Sequence, residues 1–134
     1  MIFIDTGAFV ARYLGGDQFH KHAIEFWTQL ENTGESCSTS NFVLDETLTL
    51  LARRSTYRFA AERGTSLFTS RILQILRPDA DDEMNALDVF TRYSEHRLSF
   101  TDCISFALMR KHKIRVTFSF DQHFRHLGFK VLPQ

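Results

Sequence analysis

Four carboxylates, Asp5, Glu46, Asp102 and Asp121, stand in this sequence at the ends of apolar segments or among apolar neighbours. Asp5 closes the run Met1-Ile2-Phe3-Ile4, which is apolar without alternation and reads as a strand buried on both faces. An unpaired carboxylate there is costly unless something cationic meets it. Glu46 has Phe42, Val43, Thr49 and Leu50 three and four positions away, so on a helix it projects beside an apolar stripe, whereas Asp45 has the setting of an ordinary exposed acid. Asp102 lies near the start of an apolar helix, and Asp121 follows a strand. Each acid also has a purely structural explanation. Asp5 can cap a helix over Ala8 to Leu14, Glu46 can snorkel to solvent, Ser99 and Asp102 fit a capping box, and Asp121 can cap the turns after it. Taken together they point to chemistry. Four like charges gathered at one edge repel and raise one another's pKa unless a cation neutralises them. A hard divalent ion, Mg²⁺ or Mn²⁺, takes oxygen ligands and keeps room for water and phosphate oxygens. Carboxylates, such an ion and a phosphate together mean phosphodiester hydrolysis.

The elements that must gather these acids alternate between strand and helix. After the first strand, Asp17 to Asn32 carries Phe19, Ala23, Phe26, Trp27 and Leu30 at helical intervals, with Asp17 placed to cap it and Gly34 just past its end. Ser36 to Thr39 reads as a strand, and Ser40 or Asn41 can cap the helix that bears Glu46. A helix over Tyr57 to Ser70, a strand over Ile72 to Leu76 stopped by Pro78, and helices over Asp79 to His96 and Phe100 to His112 follow. Arg115 to Phe120 reads as a strand, Asp121 to Leu127 as one or two helical turns, and Phe129 to Leu132 as a last short strand. This alternation predicts a three-layer α/β/α domain with a central, mainly parallel sheet, because parallel neighbours need crossovers and the crossovers here are helical. Ligands of such sheets bind outside the carboxyl ends of the strands, where Asp5 and Asp121 fall.

Read in order, the apolar strand with Asp5-Thr6, the segment Phe42-Val43-Leu44-Asp45-Glu46-Thr47-Leu48, then Leu98-Ser99-Phe100-Thr101-Asp102, and Thr117-Phe118-Ser119-Phe120-Asp121-Gln122-His123-Phe124 resemble the PIN-domain nucleases, particularly VapC-type toxins. The resemblance spans essentially the whole chain and implies the fold. It also implies that Asp5, Glu46, Asp102 and Asp121 bind Mg²⁺ or Mn²⁺ and cut RNA, leaving a 5′-phosphate, with the hydroxyl of Thr6 or Ser119 assisting. A small antitoxin protein covering the site, and a homodimer, are further implications. Two rival readings remain: a nonenzymatic RNA-binding or interaction module of PIN architecture, and a dimeric aspartic protease suggested by Asp5-Thr6-Gly7-Ala8. Against the protease, those proteins are mostly β and their Asp follows a longer β stretch.

The remaining composition sets bounds. At 134 residues, 43% hydrophobic and 24% charged, the chain suits one globular domain over residues 1–134. Sixteen basic and sixteen acidic residues cancel, so nucleic-acid binding must rest on local patches. Arg53, Arg54, Arg58, Arg63 and Arg71 face only Glu62 in their stretch and form one candidate RNA patch, with a solvated or partner surface as the alternative. Lys111, His112, Lys113 and Arg115 form a shorter cluster that also suits a helix C-terminus. His20 with His22, or His123 with His126, lacks the Cys or further His that would complete a tetrahedral zinc set. Cys37 and Cys103 suit two reduced, buried thiols, and nearly all of the fourteen phenylalanines suit the core, although a few on the surface could stack on bases or a partner. With no basic leader and no apolar stretch near the roughly 20 residues of a membrane span, the expectation is a cytoplasmic protein.

Overall fold

The computed structural model describes residues 1–134. Five short strands form one parallel sheet in the order β3-β2-β1-β4-β5, with β1 Ile2–Ile4, β2 Cys37–Ser40, β3 Leu73–Leu76, β4 Val116–Phe118 and β5 Lys130–Leu132. The apolar run at the start of the chain is thus the central strand, and helices flank the sheet in the expected three-layer α/β/α arrangement. Phe3 pairs with Ser38 on one side and Thr117 on the other. Strand order reverses at β1, and ligands of open α/β sheets bind outside the carboxyl ends of the strands at such a reversal.

Helices α1 Thr6–Tyr13 and α2 His20–Thr33 connect β1 to β2, and α3 Asn41–Arg54 and α4 Tyr57–Phe68 connect β2 to β3. The path from β3 back to β4 uses α5 Ala80–Arg92, a single 3₁₀ turn at Ser94–His96, and α6 Phe100–Lys111; α7 His123–His126 precedes β5. Local chemistry sets several of these ends. Ser40 Oγ accepts the Val43 N–H at 3.1 Å and starts α3, while Gly34 ends α2 in the left-handed conformation (φ 67°). Gly64 lets α4 close on α3, since a Cβ there would lie 3.0 Å from Leu48 Cδ1.

The core is a single cluster of 26 buried residues running from β1 through β5. α6 is buried from Cys103 to Met109, as its apolar sequence requires. Two expectations need correction, those for Asp17 and Cys37. Asp17 does not cap α2: the helix begins at His20, and Asp17 Oδ1 instead accepts the Phe19 N–H at 2.9 Å in a preceding turn. Phe19, Phe68 and Phe90 are the exposed phenylalanines, the few that the sequence allows at the surface. Cys37 is only half-buried, although it and buried Cys103 are both free thiols. No helix is long and apolar enough to cross a membrane.

Candidate active site

The carboxyl end of β1 is pinned from both sides before Asp5 leaves it. Thr39 Oγ1 of β2 donates to the Ile4 carbonyl at 2.8 Å, and Thr117 Oγ1 of β4 donates to the Phe3 carbonyl at 2.9 Å. Asp5 then donates its own N–H to the Phe118 carbonyl at 3.0 Å. It occupies the N-cap position of α1, yet its side chain makes no cap hydrogen bond. The carboxylate turns instead toward β4, where Ser119 Oγ donates to Asp5 Oδ2 at 2.9 Å. The same hydroxyl accepts the Asp121 N–H at 2.9 Å, so Ser119 ties two of the four acids to one oxygen. Thr6 Oγ1 is buried beside them without a partner.

Asp102 sits at the start of α6 and does make the capping box: Ser99 Oγ accepts its N–H at 3.0 Å, and Asp102 Oδ2 accepts the Ser99 N–H at 3.2 Å. Ligand atoms of Asp102, Asp121 and His123 lie within 4.8 Å of one another. Asp121 Oδ1 accepts the His123 backbone N–H at 2.9 Å, and the His123 ring Nδ1 lies 2.9 Å from the same oxygen without the alignment of a hydrogen bond. Glu46, half-buried on α3, makes no hydrogen bond, and its charge is felt at Asp102.

This crowding shows in the proton affinities. Burial, then the charge of Asp102, pushes Asp5 up to about 7, against partial relief from Ser119 and the Thr6 backbone. Burial, then Asp121, pushes Asp102 up to about 6, with Glu46 adding to the rise and Ser99 opposing it. Desolvation and like charge both disfavour the ionised forms, and a cation at this edge removes both penalties. The structure therefore brings Asp5, Asp102, Asp121 and Ser119 together, sets Glu46 within electrostatic reach, and adds His123. The Asp121-x-His123 spacing is the sequence signal for that histidine, which pairs with Asp121 rather than with His126.

The other expectations divide. Asp-Thr-Gly-Ala is not a protease turn: Thr6 to Ala8 are the first turn of α1 and the sheet is wholly parallel. Arg53 and Arg54 are exposed in the last turn of α3, roughly 10–12 Å along the axis from Glu46. Arg54 lies 3.8 Å from Asp17, and exposed Arg58 pairs with Glu62 at 3.3 Å. Lys111 is occupied by Asp82 at 3.0 Å and Asp79 at 3.3 Å.

A model of the PIN domain family matches residues 2–130 of this chain. The chain belongs to the PIN-domain family. This PIN domain is 37% identical, over 135 residues and the full length of both chains, to the 23S rRNA-specific endonuclease VapC20 of Mycobacterium tuberculosis. It is 32% identical over 124 residues to a VapC ribonuclease of Archaeoglobus fulgidus, covering 90% of this chain and 77% of that one. The crystal structure of Mycobacterium tuberculosis VapC20, described as a sarcin-ricin loop cleaving toxin, matches with a TM-score of 0.86 at 35% identity over 96% of each chain. The VapC-type resemblance read from the ordered acidic segments is thus borne out.

Proposed function

We propose that this PIN domain, taken as a single domain over residues 1–134, is a divalent-metal-dependent endoribonuclease and the toxin of a toxin–antitoxin pair. The observation that carries the reading is the convergence of Asp5, Asp102 and Asp121, with Glu46 close by, at the carboxyl edge of a parallel sheet. The donor set fits a hard ion: the oxygens are carboxylates, burial and neighbouring acids push Asp5 up to about 7 and Asp102 up to about 6, and the Thr6 hydroxyl is buried without a partner. Asp5, Glu46, Asp102 and Asp121 would hold Mg²⁺ or Mn²⁺, with the His123 ring as an additional donor. When bound, the ion supplies an acidified water and neutralises charge on the phosphate.

The chain's own residues do the remaining work. Ser119 fixes the rotamer of Asp5 and the backbone of Asp121, and Ser99 fixes Asp102. Glu46, free of hydrogen bonds, is the carboxylate available to accept a proton from the attacking water. Arg53, Arg54 and Arg58 would contact RNA phosphates further along the strand. The 23S rRNA specificity of the relative VapC20 makes ribosomal RNA the first substrate to test. A cytoplasmic setting, a small antitoxin over the acidic edge and a homodimer complete the proposal.

Purified protein is expected to cleave single-stranded or ribosomal RNA in Mg²⁺ or Mn²⁺ and to stop in EDTA. Undiminished cleavage in EDTA would defeat the metal mechanism. Protein that binds RNA in metal and never cuts it would be the nonenzymatic module instead.

A further inference from the structure

On the same sheet edge, two phenylalanines that the chemistry above does not use lie face to face. Phe19 immediately precedes α2, and Phe120 stands between Ser119 and Asp121; their ring centroids are 4.6 Å apart with planes 2° from parallel. Phe120 is anchored from behind. Its ring meets Phe118 edge-on at 5.9 Å, and Phe118 is fully buried against Phe26 and Trp27. Phe19 lies outside the core cluster and is 36% exposed. Local structure gives no reason for an aromatic residue there: the N-cap position favours Ser, Thr, Asp or Asn, and Phe19 supplies no side-chain cap.

Polar residues flank Phe19 along the chain. Lys21 and His22, just beyond it on α2, are exposed. The nearby acid is already engaged, since Asp17 Oδ1 accepts the Phe19 N–H at 2.9 Å and its Oδ2 lies 3.8 Å from Arg54 Nη1. An exposed aromatic face, stacked on the ring of Phe120 directly before Asp121, suits one kind of ligand.

We propose that the Phe19–Phe120 stack is a nucleobase platform, on which an unpaired base next to the scissile phosphate extends the stack over the exposed side of Phe19. The inference rests on the reading of the acidic edge as an RNA-cleaving centre. Every base has a π face, so such a platform holds a strand without reading its sequence. RNA loops and ends are the substrates whose bases can splay out onto aromatic side chains. A protein partner would call for a broader apolar patch, whereas Phe19 is a single exposed ring whose chain neighbours Gln18, Lys21 and His22 are exposed polar residues.

The test compares wild type, Phe19→Leu and Phe19→Trp on a single-stranded RNA carrying 2-aminopurine. KM, kcat, melting temperature and the fluorescence quench on mixing, before cleavage, are read for each. Phe19→Leu keeps apolar bulk but loses the ring, and it is expected to raise KM roughly tenfold, the size of one lost base stack, with kcat held within about twofold. Quenching should weaken in Phe19→Leu and return, with KM, in Phe19→Trp. An active wild type whose KM and quench are unmoved by Phe19→Leu overturns the platform alone. A Phe19→Leu protein that loses melting temperature and kcat together makes the pair a loop clamp and also overturns it. A wild type that neither binds nor cuts RNA defeats the nuclease reading itself, a result distinct from both.

Discussion

Asp102 combines two tasks in one side chain. Oδ2 closes the capping box with Ser99, and the carboxylate as a whole lies against Asp121 and Glu46. Cap and ligand, which stand as rivals in the sequence, are compatible in one side chain. Loss of a cap costs about 0.5–2 kcal/mol, while loss of the charge relieves repulsion in the metal-free protein. Asp102→Asn keeps an acceptor for Ser99 and removes the charge. It is expected to melt no lower than wild type in EDTA, to gain less from Mn²⁺, and to cleave no RNA. A variant that melts several degrees lower in EDTA yet keeps its manganese response and its cleavage would leave Asp102 as a cap only.

Among the elements, α3 carries both Glu46 near its start and the arginines at its end, so one helix links the acidic edge to the candidate RNA surface. Arg58 pairs with Glu62 and Arg54 leans on Asp17, while Arg53 has no acidic partner within 4.0 Å. Replacing Arg53 and Arg54 with Ala is expected to weaken RNA binding and flatten its salt dependence, because fewer counterions are released. An unchanged slope of log affinity against log salt would assign these residues to solvent or to a partner. The strand before Asp5, the Ser40 cap of α3 and the Ser99–Asp102 box are legible in the sequence, since each is a local pattern of apolar period or capping chemistry. What is not legible depends on distant partners. Asp5 and Asp17 both read as helix caps, but one carboxylate turns to Ser119, 114 residues away, and the other serves a turn before the helix. Lys111 reads as part of a basic cluster, yet α5 supplies Asp79 and Asp82 to hold it. The exposure of Phe19 likewise follows from packing that helical spacing does not encode.

At the scale of the whole molecule, the crowded edge links folding to both pH and metal. Asp5 at about 7 and Asp102 at about 6 in the native state stand above the ordinary carboxylate value of about 3.8 that each regains on unfolding. Between those values the native protein holds protons that the unfolded chain has released, so stability must fall as pH rises from about 4 to about 7. A divalent ion reverses the sense, since it binds the deprotonated carboxylates of the native state alone and stabilises more as protons leave. In EDTA the melting temperature is therefore expected to drop by several degrees between about pH 5 and about pH 7.5, and saturating Mn²⁺ should flatten or invert that dependence. Asp5→Asn removes the most perturbed of the groups and should abolish most of the metal-free drop, which separates it from the titration of the six histidines. A metal-free protein whose stability is level or rising over this range, and no different in Asp5→Asn, would mean that the four acids do not share a field, and the case for a cation at this edge would fall with it.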